Sequence, residues 1–238
     1  MLVPVTCIAL RTIKLNDKQN LLSAWSREVG RITLTMPAGA GREAARRRAL
    51  TRPLYCFEGI ADIRPQREIH TIRDLRPHGA AGVPVLAVVK DMVGIFIAEV
   101  LDLLLRQAAP DATLSSFLFE STEILHEAQS EEVVSYFPIQ FLLRLTEFLG
   151  IGPDFDTPGN IFDLREGRFL SACPLHRDFA DDATADDLRC LVACTYSTTP
   201  TLRWTRTRRN EMLDLLLRYL SIHITPLTSL HSLSTLRS

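Results

Sequence analysis

The sequence has no apolar run long enough to cross a bilayer. Its most apolar stretch, Val83 to Leu105, is broken by Lys90, Asp91, Glu99 and Asp102, whereas a spanning helix needs about 20 largely uncharged residues. No membrane partner is expected. The first ten residues lack a basic side chain ahead of their apolar run, so they do not read as a secretory signal. Cysteine is scarce: 5 residues, at positions 7, 56, 173, 190 and 194. An odd, scattered set makes no disulfide framework and points to a reducing cytoplasm. With 11 glycines and 13 prolines in 238 residues, collagen-like and low-complexity chains are excluded. No Walker loop, dinucleotide fingerprint or HExxH sequence occurs, and nothing in the pattern argues for an enzyme. Aromatics are few in the first 80 residues, where only Trp25, Tyr55 and Phe57 occur.

What is present is ordinary globular material, 46% apolar and 23% charged. The net charge of −1 hides an asymmetry. Residues 1–80 hold 14 basic and 7 acidic side chains, and residues 81–238 hold 13 and 21. Opposite charge in two halves suggests two functional parts. A basic N-terminal third implies an anionic partner, most often nucleic acid.

The patterning divides at the same place. Residues 3–14, 20–27, 31–36, 54–63 and 67–73 read as short strands, with turns at Asn16-Asp17-Lys18 and Glu28-Val29-Gly30. Five such strands fit an SH3-like or OB-type barrel, or an open sheet. Residues 37–52 show no strand period, and this gap is where an OB barrel inserts a helix or long loop. Beyond residue 83 the period becomes helical. Helices are expected over 84–108, 112–128, 132–149, 184–197 and 206–222, with Pro138 near the beginning of the third or breaking it. Residues 152–180 read as an irregular insert, and the last dozen residues as loosely packed. The expected domains are therefore 1–80 and 81–238.

Three constellations could carry function. The first is basic. Residues 42–48 hold Arg42, Arg46, Arg47 and Arg48 against one acid, Glu43, and arginine makes bidentate, salt-sensitive phosphate contacts. Arg11, Lys14, Lys18, Arg27, Arg31 and Arg52 join them as candidate DNA contacts. A second basic run, residues 203–209, adds Arg206, Arg208 and Arg209. It lies at a helix start, where positive charge opposes the dipole, and Glu211 and Asp214 are at helical spacing to neutralise it. The second constellation is Cys173, His176, Cys190 and Cys194, whose loose spacing reads as packing rather than zinc ligation. The acids Asp181, Asp182, Asp186 and Asp187 read as a solvated helix start, with Mg²⁺ binding the alternative. The third is the aromatic stretch from Tyr136 to Gly150, a core helix or an apolar groove for a peptide ending in aromatics and acids.

The residues also carry a resemblance. Thr6 to Lys14, followed by Ser26-Arg27-Glu28-Val29-Gly30-Arg31-Ile32, resembles the opening of the bacterial RecO family. The glycine- and arginine-rich segment after the third strand, Tyr136 to Gly150, Asn160 to Phe169 and Arg208 to Tyr219 are similar to that family in the same order. The resemblance implies an α+β fold: an N-terminal OB-fold β-barrel followed by an all-α C-terminal domain. It implies a cytoplasmic, nucleoid-associated mediator of DNA repair and homologous recombination in a RecFOR-type pathway. Such a protein binds single- and double-stranded DNA, anneals complementary strands and helps load recombinase onto coated single strands. The implied partners are RecR and the acidic, aromatic-ended tail of the single-strand-binding protein. By position, Phe137, Phe141 and Arg144 would meet that tail, with the family's basic groove residue falling at Gln140. Zinc-bearing relatives carry a CxxC pair that is missing here around Gly159–Asp163, so the resemblance implies the branch without a zinc finger, and no cofactor. The rival readings are a protein-binding adaptor that does not touch DNA and a metal-dependent nucleic-acid enzyme.

Overall fold

The computed structural model describes residues 1–64, 66–79, 86–227 and 229–237. The chain divides into two compact units, Met1–Glu127 with Leu230–Leu236, and Ala128–Ser229 with Arg237. The boundary expected at 80/81 lies outside the described residues.

The first unit opens with strands β1 (Leu2–Lys14), β2 (Gln19–Ser26) and β3 (Gly30–Pro37). A helix, α1 (Arg42–Leu50), precedes β4 (Cys56–Asp62) and β5 (Ile69–Pro77). The strands close a barrel in the order β1-β2-β3-β5-β4. All neighbours run antiparallel except β3 and β5, which are parallel with Leu34 opposite His70. Closure comes from β1 on β4, with Val5 opposite Gly59. This is the OB arrangement, with α1 in the gap between the third and fourth strands. Period-2 alternation puts Ile32, Leu34 and Met36 of β3 inside the barrel with Cys7, Leu22 and Phe57. The intervening Thr33 and Thr35 face outward, half-exposed, and Arg31 leaves the barrel interior to meet Asp102.

Two helices complete this unit, α2 (Ala87–Leu104) and α3 (Ala112–Glu127). They cover the barrel's outer face through buried polar contacts. Trp25, fully buried, donates its indole N–H to Ser115 Oγ at 3.0 Å, and Ser23 Oγ donates to Asp102 at 2.6 Å. The β2–β3 turn closes against the α2–α3 connection. Gly30 has φ +71, and a Cβ there would stand 3.0 Å from Pro110 N, so only glycine fits both the backbone and the space.

The second unit begins with α4 (Glu131–Phe148), whose first turn is capped by the Ser130 hydroxyl accepting from Val133 N–H. Pro138 lies inside this helix without ending it. The stretch expected to be irregular is partly a sheet. Strands β6 (Ile161–Asp163), β7 (Arg168–Leu170) and β8 (Phe179–Ala180) pair antiparallel in the order β7-β6-β8. At two or three residues each, they are too short to show alternation. Gly159 leads into them with φ +141, and a Cβ there would meet the Leu170 backbone at 2.3 Å. Helix α5 (Asp182–Val192), a 3₁₀ turn at Thr199–Leu202 and helix α6 (Arg206–His223) follow.

The last residues were expected to pack loosely, but a short helix, α7 (Leu233–Leu236), belongs to the first unit. The Glu99 carboxylate accepts from the backbone N–H of His231 and of Ser232, each at 2.9 Å, and from the Ser232 hydroxyl. Burial opposes ionisation of Glu99. The hydrogen bonds from Ser232 and His231 overcome it and hold the carboxyl below its ordinary range. Among the described residues no helix is long and apolar enough to cross a membrane.

Candidate nucleic-acid interface

Helix α1 is polar on nearly every side. It buries one residue, Ala44, and rests Leu50 against the barrel core. Packing of that size contributes on the order of 1–2 kcal/mol. The rest of the helix is free to present guanidinium groups. Arg42 is exposed and has no ion-pair partner among the described residues. Arg46 is exposed, 3.9 Å from Glu43, and reaches the Leu75 carbonyl of β5 at 3.4 Å. Arg48 is exposed and donates to Gly39 O at 3.1 Å. Arg47 turns inward: its side chain is only 19% exposed and sits 3.6 Å from Glu43.

The contact with β5 extends this surface. On β5 only Ile72 and Leu75 are buried, which leaves Arg73 and Arg76 outward beside α1. Sequence reasoning counted these two arginines as charge but did not place them in the site. The spacing of Ile72 and Leu75 was the signal that would have found them. The β1–β2 hairpin adds Arg11, Lys14 and Lys18, all exposed. Lys14 pairs with Asp17 at 2.6 Å, whereas Arg11 and Lys18 have no ion-pair partner among the described residues.

Other candidates are held by their own unit. Arg31 is a correction: its guanidinium pairs with Asp102 of α2, the two side chains being 16% and 9% exposed. Burial pulls its proton affinity down while Asp102 pulls it up, so it acts as an internal tie and does not face solvent. Arg52 pairs with Asp91 and lies 4.9 Å over the Tyr55 ring. Arg27 is exposed but stacks 4.3 Å over Phe119.

Three arginines of the second basic run are also held within their unit. Arg208 makes a two-pronged pair with Asp187, Arg206 donates to the Arg237 carbonyl and Arg209 donates to Trp204 O at 2.8 Å. The expected helical-spacing partners play a smaller part: Arg208 pairs with Asp187, 21 residues away, with Glu211 adding to its field, and Asp214 pairs with Arg237. Three of the four acids are likewise engaged: Asp187 holds Arg208, Asp186 lies 3.9 Å from Arg189, and Asp181 is an N-cap. Asp181 caps α5 by accepting from Thr184 N–H at 3.0 Å.

Phe137 and Phe141 do not line an open groove, since each is 1% exposed. Phe137 stacks on Tyr196 with centroids 4.9 Å apart. Arg144 is half-buried, donates to Cys194 O at 3.0 Å and lies 5.9 Å over Tyr196. Gln140 donates to the same carbonyl at 2.7 Å, and its own Oε1 is buried without a partner among the described residues. His176 does not meet a thiolate set; its Nε2 lies 3.2 Å from buried Asp163. No group of three or more metal-ligating side chains occurs among the described residues.

Comparison with known proteins points one way. The family described as "Recombination protein O C terminal" matches residues 90–232. A "DNA repair protein RecO" from Phocaeicola vulgatus is 28% identical over 239 residues, covering 100% of this chain and 98% of its own. Another from Porphyromonas gingivalis is 28% identical, covering 95% of this chain and 94% of its own. A third, from Bacteroides fragilis, is 27% identical over 100% of this chain and 98% of its own.

Proposed function

The chain belongs to the RecO family of DNA repair proteins, and from that premise we propose that it binds single- and double-stranded DNA through the basic face of its barrel. The observation that carries this is the exposed arginine surface of α1 and β5: Arg42, Arg46, Arg48, Arg73 and Arg76. Guanidinium groups there neutralise phosphate and release counterions, which drives binding without reading sequence. A surface that lowers the repulsion between two strands also favours their annealing. On this reading the protein anneals complementary strands and helps load recombinase onto coated single strands, without catalysis or cofactor.

Its protein partners on this reading are RecR and the tail of the single-strand-binding protein. In the second unit, Arg144 beside Tyr196 is the group that would meet an acidic tail, with Phe137 and Phe141 as its buried support.

The test is fluorescence anisotropy with labelled single-stranded DNA across a salt series, wild type against an Arg42/Arg46/Arg48→Ala variant. Each single-strand phosphate contact contributes about 0.7 to the slope of log affinity against log salt, so three lost contacts should flatten it by about 2. Arg47 is left in place because it is already turned inward. Binding indifferent to those three arginines, or no binding to DNA at all, would refute the proposal and favour a protein-binding adaptor.

A further inference from the structure

In the second unit, the aromatic face of α4 is closed by the chain itself. Phe137 and Phe141 stack with centroids 5.8 Å apart, and both are buried. The Tyr196 ring lies flat on Phe137, centroids 4.9 Å apart at 17°, with the Arg144 guanidinium 5.9 Å from the Tyr196 ring centre. Two residues earlier, Cys194 O accepts from Gln140 Nε2 at 2.7 Å and from Arg144 Nη2 at 3.0 Å. One turn of chain thus brings an aromatic ring and an acceptor oxygen to the residues expected to take an aromatic, acidic peptide end. We propose that the turn Cys194–Thr198 is a built-in plug: Tyr196 occupies the place of the peptide's aromatic side chain, and the Cys194 carbonyl that of its carboxylate. The inference rests on the tail-binding reading above and adds to it how the site is kept closed until a peptide displaces the plug.

The plug fits, but it leaves polar capacity unused. Gln140 is 1% exposed, and its Oε1 is buried without a partner among the described residues, as is Arg144 Nε. Buried polar groups are normally satisfied, so an acceptor and a donor left over at one place mark what a better occupant brings. A peptide end brings both: a backbone N–H to donate to Gln140 Oε1 and a carboxylate to accept from Arg144. A charged acceptor makes a shorter hydrogen bond, roughly twice as strong as that of the carbonyl it replaces, and its two oxygens suit the guanidinium fork. The aromatic exchange is ring for ring and close to even, so the carboxylate decides. A free phosphate or acetate has no ring and leaves Tyr196 on Phe137.

The turn is built to move as one piece. It follows the end of α5, where carbonyls have no helical partner, and it closes on itself. Thr195 N–H donates to Thr198 Oγ1 at 2.8 Å, Thr198 N–H to Thr195 O at 3.1 Å, and Thr195 Oγ1 lies 3.0 Å from Ser197 Oγ. Among the described residues no backbone hydrogen bond ties it to α4; it is held there through the Tyr196 ring and the two side-chain bonds to Cys194 O. Thr195, Ser197 and Thr198 are exposed, so the turn can swing outward into solvent. That swing uncovers Phe137 and releases Gln140 and Arg144 without breaking a helix or a strand.

The test uses the full-length protein and a short labelled acidic peptide that ends in Phe with a free carboxylate. Tyr196→Ala removes the ring of the plug and should tighten peptide binding about three- to tenfold, the range an aromatic stack supplies. Arg144→Gln should weaken binding in both backgrounds. In wild-type protein carrying 3-fluorotyrosine, the Tyr196 fluorine resonance, assigned by its absence in Tyr196→Phe, should move toward its solvent-exposed position as the peptide is added. Peptide binding that leaves this resonance in place, or a folded Tyr196→Ala variant that binds the peptide no better than the wild type, overturns the plug while the tail-binding reading stands. Should Tyr196→Ala not fold, the fluorine resonance decides alone. If neither the wild type nor folded Tyr196→Ala binds the peptide, the tail-binding reading falls and the plug with it.

Discussion

Arg31 tests whether the basic residues of the barrel divide into internal ties and exposed contacts. Arg31→Met keeps the aliphatic stem and removes the guanidinium. Asp102, 9% exposed, then keeps Ser23 Oγ at 2.6 Å as its hydrogen-bond partner. Removing one member of a buried ion pair costs about 3–5 kcal/mol, and the remaining hydroxyl offsets about 1 kcal/mol of that. The expected loss is therefore about 2–4 kcal/mol. With a urea dependence of about 2 kcal/mol per molar, the midpoint should fall by about 1–2 M. Trp25 reports this transition directly, since its indole bonds Ser115 within the same unit. A Trp204→Phe background leaves it as the sole tryptophan. The same variant should keep the wild-type salt slope on single-stranded DNA. Arg31→Met/Asp102→Leu should recover part of the loss by removing the stranded charge. An unchanged midpoint together with a flattened salt slope would refute the division, because Arg31 would then be contacting phosphate.

Two further outcomes follow from buried groups. Burial lowers the proton affinity of His126, whose ring donates Nε2–H to Leu54 O at 3.0 Å. Its folded-state pKa lies below the unfolded value near 6.5, so the unfolded chain binds more protons in that window. Stability should be complete above about pH 6.5 and fall as the pH drops toward the folded pKa; the urea midpoint of the first unit should be lower at pH 5 than at pH 7.5. His126→Gln should flatten that dependence, and equal slopes would contradict it. In the second unit, Gly159→Ala forces a Cβ into the Leu170 backbone at a positive φ and should cost on the order of 2–3 kcal/mol. Trp204 fluorescence should record that loss while the Trp25 transition stays put.

The barrel strands were legible because their inward faces are apolar and their outward faces are not. In β3, Ile32, Leu34 and Met36 alternate with half-exposed residues and give the strand away. Helix α1 was legible only as a gap, since a helix that buries Ala44 alone has no apolar period to read. The strands β6, β7 and β8 left no trace because three residues cannot establish a period. Within the candidate site, the basic run on α1 was visible as composition, but the roles of single arginines were not. Arg31 and Asp102 are 71 residues apart, and no local spacing announces their pairing. Phe137 and Phe141 look the same in sequence whether they line a groove or fill a core, and here they are buried.

This separates charge from availability. The run at 203–209 matches α1 in arginine count, yet Arg206, Arg208 and Arg209 spend their donors on Arg237, Asp187 and Trp204. A guanidinium already satisfied inside its unit gains little from phosphate, because each new contact first costs an existing one. On α1, Arg42 has no such contact to lose, and the pairs of Arg46 and Arg48 are single, long or exposed. Exposed pairs of that kind are worth about 0–1 kcal/mol, so a phosphate displaces them easily. The net excess of basic residues in the N-terminal third thus understates the contrast with the rest of the chain. What distinguishes the two basic runs, among the described residues, is how firmly their cations are held: Arg208 is locked to Asp187 and Arg209 to the Trp204 carbonyl, whereas the arginines of α1 keep only long or exposed contacts.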